Sequence, residues 1–305
     1  MKIAVLGAGA MGCLYGAKLW ESGQKVVLLD VREDHVRAVN EAGLFVESEE
    51  GERKVAVPAS LPGDWRAVPD LLLVFTKAFH TAAALEGARH LLGPETWLLS
   101  LQNGLGHAEL LSKFADPSRI IVGTTTIPSD LVGPGRIRSL GSGATRIMTA
   151  DGVVSERLRS IAEAFERAGL NCQVAETVAA VIWEKASFNA AVNCLAAVTR
   201  LPVGGVGRTP EGRALAFRIV AEAMEVARRK GLPVNEQAVL QTVEMAFREH
   251  GEHKPSMLQD VLAGRPTEVE FINGAIVREA KALGLQVPVT ETLYGLVRTL
   301  ERSYG

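Results

Sequence analysis

The sequence predicts two halves of different class, a doubly wound α/β half over residues 1–175 and an all-helical half over residues 176–305. Three observations carry this reading. Short apolar runs alternate with helical stretches up to about residue 175 and then stop. A glycine-rich turn directly follows the first of those runs. Beyond residue 176 apolar positions recur at helical spacing, with start and stop signals of their own.

Strands are expected at Lys2–Leu6, Lys25–Asp30, Leu71–Phe75, Trp97–Leu101, Ile120–Gly123, Arg136–Leu140, Arg146–Thr149 and Leu170–Val174. Several are continuously apolar, as strands covered on both faces of a parallel sheet are. Helices are expected at Met11–Ser22, His35–Glu41 and Ser155–Ala168, each followed by a glycine able to adopt the left-handed conformation. Gly133-Pro134-Gly135 marks a hairpin, read as an antiparallel extension at one edge of the sheet. In the second half the expected helices are Thr177–Thr199, Glu211–Lys230, Glu236–His250, Ser256–Leu262, Thr267–Leu283 and Thr290–Ser303. Thr267 and Glu270 have the spacing of a capping box, as do Ser256 and Gln259.

Of the 305 residues 47% are hydrophobic and 22% charged, with 33 basic against 35 acidic side chains and a net charge of −2. That balance offers no footprint for nucleic acid and no basic cluster for an anionic membrane. It is also too apolar for intrinsic disorder. Cys13, Cys172 and Cys194 are scattered and odd in number, which fits neither a disulfide framework nor a zinc site, so no metal is expected. Residues 3–17 carry no charge but are broken by four glycines, so they read as a strand and turn rather than a signal peptide. With no apolar run of the ~18 residues that span a bilayer, a cytoplasmic protein is expected.

Gly7-Ala8-Gly9-Ala10-Met11-Gly12 stands between the first strand and the first helix, the context a dinucleotide-binding turn requires. Gly7 permits the tight turn, Gly9 lets a pyrophosphate approach the backbone, and Gly12 lets helix and strand pack closely. The pyrophosphate then meets free N–H groups at the positive helix end. Asp30 ends the second strand, where a carboxylate accepts from a ribose 2′-hydroxyl and repels a 2′-phosphate. Arg32, two residues on, suits that phosphate. The two pull opposite ways, leaving NADP and NAD both open. Lys77 and Asn103 follow strands at their carboxyl ends, where ligands of such sheets bind. Lys77 is expected in the first turn of the next helix, against the dipole, a position that an anionic ligand would relieve.

The stretch from Trp183 to Leu195 is the most informative. Ala186 to Val198 is uncharged and mostly apolar, yet Lys185, Asn189 and Asn193 recur every four residues. One ammonium and two amides thus share a face of a buried helix. Without partners they would cost ~1–3 kcal/mol per amide, and more for the charge, so either a polar network or a wet ligand cleft must meet them. A lysine in such a cleft could polarise a ketone and deliver the proton that hydride transfer leaves wanting, provided burial lowers its pKa. The asparagines could orient the substrate. Ser256 and the free amides of its helix start could hold a carboxylate.

These residues resemble those of the ketopantoate reductase (2-dehydropantoate 2-reductase) family over nearly the whole chain. The resemblance runs through Gly7–Gly12, Phe75-Thr76-Lys77, Gln102-Asn103-Gly104, Trp183-Glu184-Lys185 with Asn189 and Asn193, Ser256-Met257-Leu258-Gln259-Asp260, and Thr267-Glu268 ahead of Ile272-Asn273-Gly274. It implies a Rossmann-type domain joined to a helical domain of the 6-phosphogluconate dehydrogenase-like type, with the active site in the cleft between them. It implies NADPH-dependent reduction of 2-dehydropantoate to pantoate, on the route to pantothenate and coenzyme A. Lys185 would be the proton donor, and Asn189, Asn193 and Ser256 would contact substrate. Lys77, Asn103 and Glu268 would lie along the cofactor, Asn103 and Glu268 close to where nicotinamide meets substrate, and Arg32 would take the 2′-phosphate.

Two positions depart from the pattern. Asp30 is an acidic intrusion beside the phosphate site, and Val203 stands where some members place a substrate-touching asparagine. The partner is therefore expected to be a small 2-oxo acid, with another 2-oxo acid or a 3-hydroxyacid as competing substrates. A non-catalytic dinucleotide sensor would not need Lys185, Asn189 and Asn193 on one face. The apolar helices of the second half also suit a homodimer.

Overall fold

The computed structural model describes residues 1–249 and 251–304. The chain divides into two compact units, Met1–Gln102 with His107–Val178, and Asn103–Gly106 with Ala179–Gly305.

In the first unit the elements run β1 (Lys2–Leu6), α1 (Ala10–Glu21), β2 (Lys25–Leu29), α2 (Glu33–Ala42), β3 (Leu44–Ser48), β4 (Gly51–Val55), β5 (Ala59–Ser60), β6 (Leu71–Val74), α3 (Thr81–Gly87), β7 (Trp97–Ser100), α4 (His107–Leu111), β8 (Ile120–Thr125), β9 (Asp130–Gly133), β10 (Arg136–Arg138), β11 (Thr145–Thr149), α5 (Glu156–Arg167) and β12 (Cys172–Val174). Eight strands form one sheet in the order β12-β11-β8-β7-β6-β1-β2-β5. Leu71, Leu72, Leu73 and Val74 are all fully buried, which explains why that strand shows no alternation. From β1 the parallel sheet grows one way through β2 and the other way through β6. The chain ends of β1 and β6 therefore flank the point where strand order reverses, the crevice in which ligands of such sheets bind.

Two expectations about this unit need correction. The Gly133-Pro134-Gly135 hairpin is not an edge of the main sheet, since β9 and β10 belong to a second sheet of order β4-β3-β10-β9. Gly135 turns with φ +67°, and its carbonyl accepts from Phe45 N–H at 2.8 Å, seating the hairpin on β3. The antiparallel strand of the main sheet is β11, which pairs with β8. Strands β3 and β4 escape sequence reading because β4 is mostly polar and exposed, with Glu52, Arg53 and Lys54 in sequence.

The second unit holds α6 (Val178–Thr199), α7 (Val203–Gly207), α8 (Pro210–Arg229), α9 (Glu236–Glu249), α10 (Ser256–Leu262), α11 (Asn273–Ala282) and α12 (Pro288–Arg302). The expected helix ending at His250 agrees to Glu249, and His250 lies outside the described residues. Helix α6 runs through the middle of the core, where Ala190, Ala191, Leu195 and Ala196 pack with Met224, Ile276 and Val297. No described helix is long and apolar enough to cross a membrane.

Both capping boxes fail. Pro255 caps α10 without a side-chain bond, and the Gln259 amide donates back to the Lys254 carbonyl at 2.9 Å. Residues 267–272 form turns rather than the first turns of a helix, and α11 begins only at Asn273. There the Thr267 hydroxyl donates to Glu301 at 2.7 Å, while Glu270 pairs with Tyr294 and Arg278. Thr267 and Glu270 thus find stronger charged or tertiary partners than the helix start offers.

Candidate active site

The glycine turn is shaped by close packing on one side and open space on the other. Gly7 has φ +96°, and a Cβ there would stand 2.6 Å from the Thr76 nitrogen. A Cβ at Gly12 would lie 2.0 Å from the Gly7 carbonyl oxygen. Only glycine tolerates either contact. Gly9, by contrast, has nothing within 4 Å of where a side chain would grow, and α1 begins at Ala10 with no side chain capping its first amides. Empty room over unspoken-for N–H groups at a helix start is what a dinucleotide pyrophosphate needs, so the residues fit that group. Beneath the turn, burial pushes the Cys13 thiol up to about 12. The protonated Cys13 Sγ lies 3.1 Å from the Ala8 carbonyl, to which it donates, and 3.4 Å from His35 Nε2.

At the end of β2, Asp30 Oδ1 accepts from the Arg32 backbone N–H at 3.0 Å and from its Nε at 3.3 Å. The two residues that argue in opposite directions in the sequence form one ion pair. The pairing runs through Nε, and the Arg32 side chain stays partly exposed. Beyond β6, Lys77 precedes a short 3₁₀ turn with ψ 142° rather than lying inside a helix, so the dipole conflict expected for it does not arise. Gln102 ties this loop to β7, its amide donating to the Thr76 carbonyl at 2.5 Å and to Thr81 Oγ1 at 2.8 Å.

The second unit carries the titratable chemistry. Lys185, Asn189 and Asn193 follow one another at four-residue steps along α6, so they share a face. Burial pulls the Lys185 ammonium from its ordinary 10.5 down to about 8, and the Glu268 carboxylate draws it partway back. Asn189 and Asn193 are 7% and 6% exposed, and among the described residues neither amide has a hydrogen-bond partner. Glu268 is buried as well, within the turn that precedes α11. Leu105 N–H donates to the Phe271 carbonyl of that turn at 2.8 Å, so the Asn103–Gly106 segment is fastened to the second unit although it follows β7 in sequence. Ser256 is the first residue of α10 and is exposed.

Gln102 and Glu301 make bonds that sequence reading does not reveal, Gln102 entering it only within the Gln102-Asn103-Gly104 motif. Gln102 could have been suspected from its place beside Asn103, but Glu301 carries no local signal, lying 34 residues from the turn it holds.

A dinucleotide turn on a doubly wound sheet, with an amine of lowered basicity on a buried helix, defines a nicotinamide-dependent oxidoreductase. Family models described as "Ketopantoate reductase PanE/ApbA" and "Ketopantoate reductase PanE/ApbA C terminal" match residues 3–152 and 177–301. The chain belongs to the ketopantoate reductase family. It is 34% identical over 309 residues to the 2-dehydropantoate 2-reductase of Pyrococcus horikoshii, covering 100% of this chain and 99% of that one. The enzyme of the same name from Streptococcus pyogenes serotype M3 is 32% identical over 302 residues, covering 99% and 98%. A D-mandelate dehydrogenase solved with NADH and anilino(oxo)acetate is 31% identical with a TM-score of 0.95, covering 100% and 99%.

Proposed function

We propose that this chain reduces 2-dehydropantoate to pantoate with NADPH, Lys185 being the proton donor. The observation that carries the reading is the α6 face on which two mostly buried asparagines, without hydrogen-bond partners among the described residues, follow the amine that burial lowers. Each amide offers both donors and an acceptor to a polar ligand. The names of the Pyrococcus and Streptococcus relatives support this substrate.

The open backbone at Gly9 and the first amides of α1 would hold the pyrophosphate, and the partly exposed Arg32 guanidinium the 2′-phosphate. Lys77, Asn103 and Glu268 would lie along the dinucleotide, Asn103 and Glu268 toward its nicotinamide end. When bound, that ring supplies the hydride. The protein's share is orientation and a proton. The Lys185 ammonium donates a hydrogen bond to the ketone oxygen, which raises the carbonyl's electrophilicity. As the oxygen gains negative charge, Nζ releases its proton to it, leaving the alcohol and a neutral amine. An amine titrating near 8 is still charged at neutral pH yet gives up its proton readily. Asn189 and Asn193 would hold the substrate's oxygens, with Ser256 toward its carboxylate.

A second reading, a reductase of another 2-oxo acid using NADH, draws on Asp30 beside Arg32, on Val203, and on the D-mandelate dehydrogenase likeness. The test is loss of reduced-dinucleotide absorbance with a panel of 2-oxo acids, 2-dehydropantoate included. Highest kcat/KM for 2-dehydropantoate with NADPH is expected. A higher value for an aryl or other branched 2-oxo acid with NADH would install the second reading. Oxidation of 3-hydroxyisobutyrate with no 2-oxo acid turnover would overturn both.

A further inference from the structure

We infer that Glu301, on the last helix of the chain, is a positioning residue that straps the turn at residues 267–272 so that Glu268 is held toward Lys185. The inference rests on the reading of Lys185 as proton donor.

The turn has no helical ladder of its own, so its shape is set by what grips it from outside. Glu301 Oε1 accepts from both the Thr267 backbone N–H and the Thr267 hydroxyl, each at 2.7 Å. Its other oxygen accepts from Arg298 at 2.8 Å, which fixes the carboxylate. The Thr267 hydroxyl in turn accepts from Val269 N–H at 3.2 Å. Between these clamped residues stands Glu268, and its carbonyl accepts from Phe271 and Ile272 N–H at 3.0 and 3.1 Å. The Phe271 carbonyl takes Leu105 N–H at 2.8 Å. Gly104, with φ +96°, has no room for a Cβ, which would come within 2.4 Å of that same carbonyl oxygen. One hydrogen-bonded chain thus runs from α12 through Glu268 to the segment carrying Asn103.

The far side of the turn has independent ties, Gly274 N–H to the Val269 carbonyl at 2.9 Å and Arg278 to the Glu270 carbonyl at 3.0 Å. Among the described residues, Glu301 alone receives the two Thr267 donors. Both bonds are charge-assisted and therefore stronger than those a neutral acceptor would make. Removing Glu301 should loosen the Glu268 end of the turn and leave the α11 end in place. Glu268 is the charged side chain whose field reaches Lys185 and raises its pKa. A looser Glu268 supports the ammonium less.

The test compares Glu301→Ala, Glu301→Gln and Thr267→Val. Glu301→Ala is expected to lower kcat roughly tenfold or more, as a misplaced supporting group does, with KM for the dinucleotide little changed. Its alkaline loss of activity should begin at lower pH than in the wild type. Glu301→Gln keeps an acceptor oxygen and should restore most of the rate and the wild-type alkaline limb. Thr267→Val breaks one bond of the two and should fall between. Amide hydrogen exchange gives a readout apart from catalysis: Thr267 and Val269 should be protected in the wild type and Glu301→Gln, and open in Glu301→Ala. A Glu301→Ala protein that melts earlier but keeps its kcat, alkaline limb and amide protection would overturn the strap. Absence of 2-oxo acid turnover in the wild type would instead sink the reductase reading, and hydrogen exchange would still decide the strap.

Discussion

The glycine turn of the first unit and the polar face of α6 in the second would serve the proposed function by opposite means. In the turn no side chain acts. The proposed binding rests on where atoms are missing, tightly at Gly7 and Gly12 and openly at Gly9. On α6 the backbone is an ordinary helix, and the proposed role falls to three side chains on one face, two buried asparagines and a lysine whose basicity burial lowers. The first site is steric and indifferent to pH. The second is electrostatic and titrates. A substitution in the turn should therefore disturb binding, and one on α6 should disturb rate and its pH dependence.

The largest effect should come from Lys185→Ala, with kcat lower by ~10² or more, the low end of general-acid contributions. Unchanged turnover there would remove the assigned proton donor. In the wild type, reduction should fade as pH rises through about 8, where the amine loses its proton. Stability should move the other way. Between about 8 and 10.5 the unfolded chain keeps a proton that the folded one has shed, so folding is favoured as pH rises through that window. Lys185→Met should abolish this rise and raise the melting temperature at neutral pH, a gain on the order of 1–3 kcal/mol. A lower melting temperature would show that the ammonium is well satisfied where it stands.

Next in size are the glycines, which sharpen the contrast within the turn itself. Gly12→Ala forces a methyl against the Gly7 carbonyl and should cost about 1–3 kcal/mol of stability together with dinucleotide affinity. Gly9→Ala meets no protein atom. It should melt like the wild type and still bind dinucleotide less tightly, measured by quenching of protein fluorescence. Equal affinity would place the pyrophosphate elsewhere.

The smallest effect is expected at the rim. Asp30→Ala removes a partly exposed carboxylate paired with Arg32, a pairing of the kind worth up to about 1 kcal/mol. The preference for NADPH over NADH should rise by roughly the same factor of a few. No change would show that the carboxylate does not face the 2′ position.

Much of the site was legible because its signals are local. The glycine spacing, the strand before it and the helix after it lie within a few residues of one another, and so do Lys185, Asn189 and Asn193 on α6. The misreading of the Thr267 and Glu270 pair has the opposite origin. Their capping-box spacing is a local preference worth about 1 kcal/mol, and a carboxylate from 34 residues away displaced it at Thr267. The second sheet was hidden for a similar reason: β3 pairs in parallel with β10 across a long stretch of chain, and β4 is too polar to show a strand pattern.

The sequence by itself determined the alternation of the first half, the helices of the second, the glycine turn and the polar stripe on a buried helix. All of these follow from periodicity, glycine sterics and the cost of burying polar groups. Only the tertiary structure decided that Asp30 and Arg32 neutralise each other, that the Asn103 segment packs with the helical unit, and that Glu301 holds the turn bearing Glu268. The last two depend on distances between residues far apart in the chain, and those distances exist only once the core has closed.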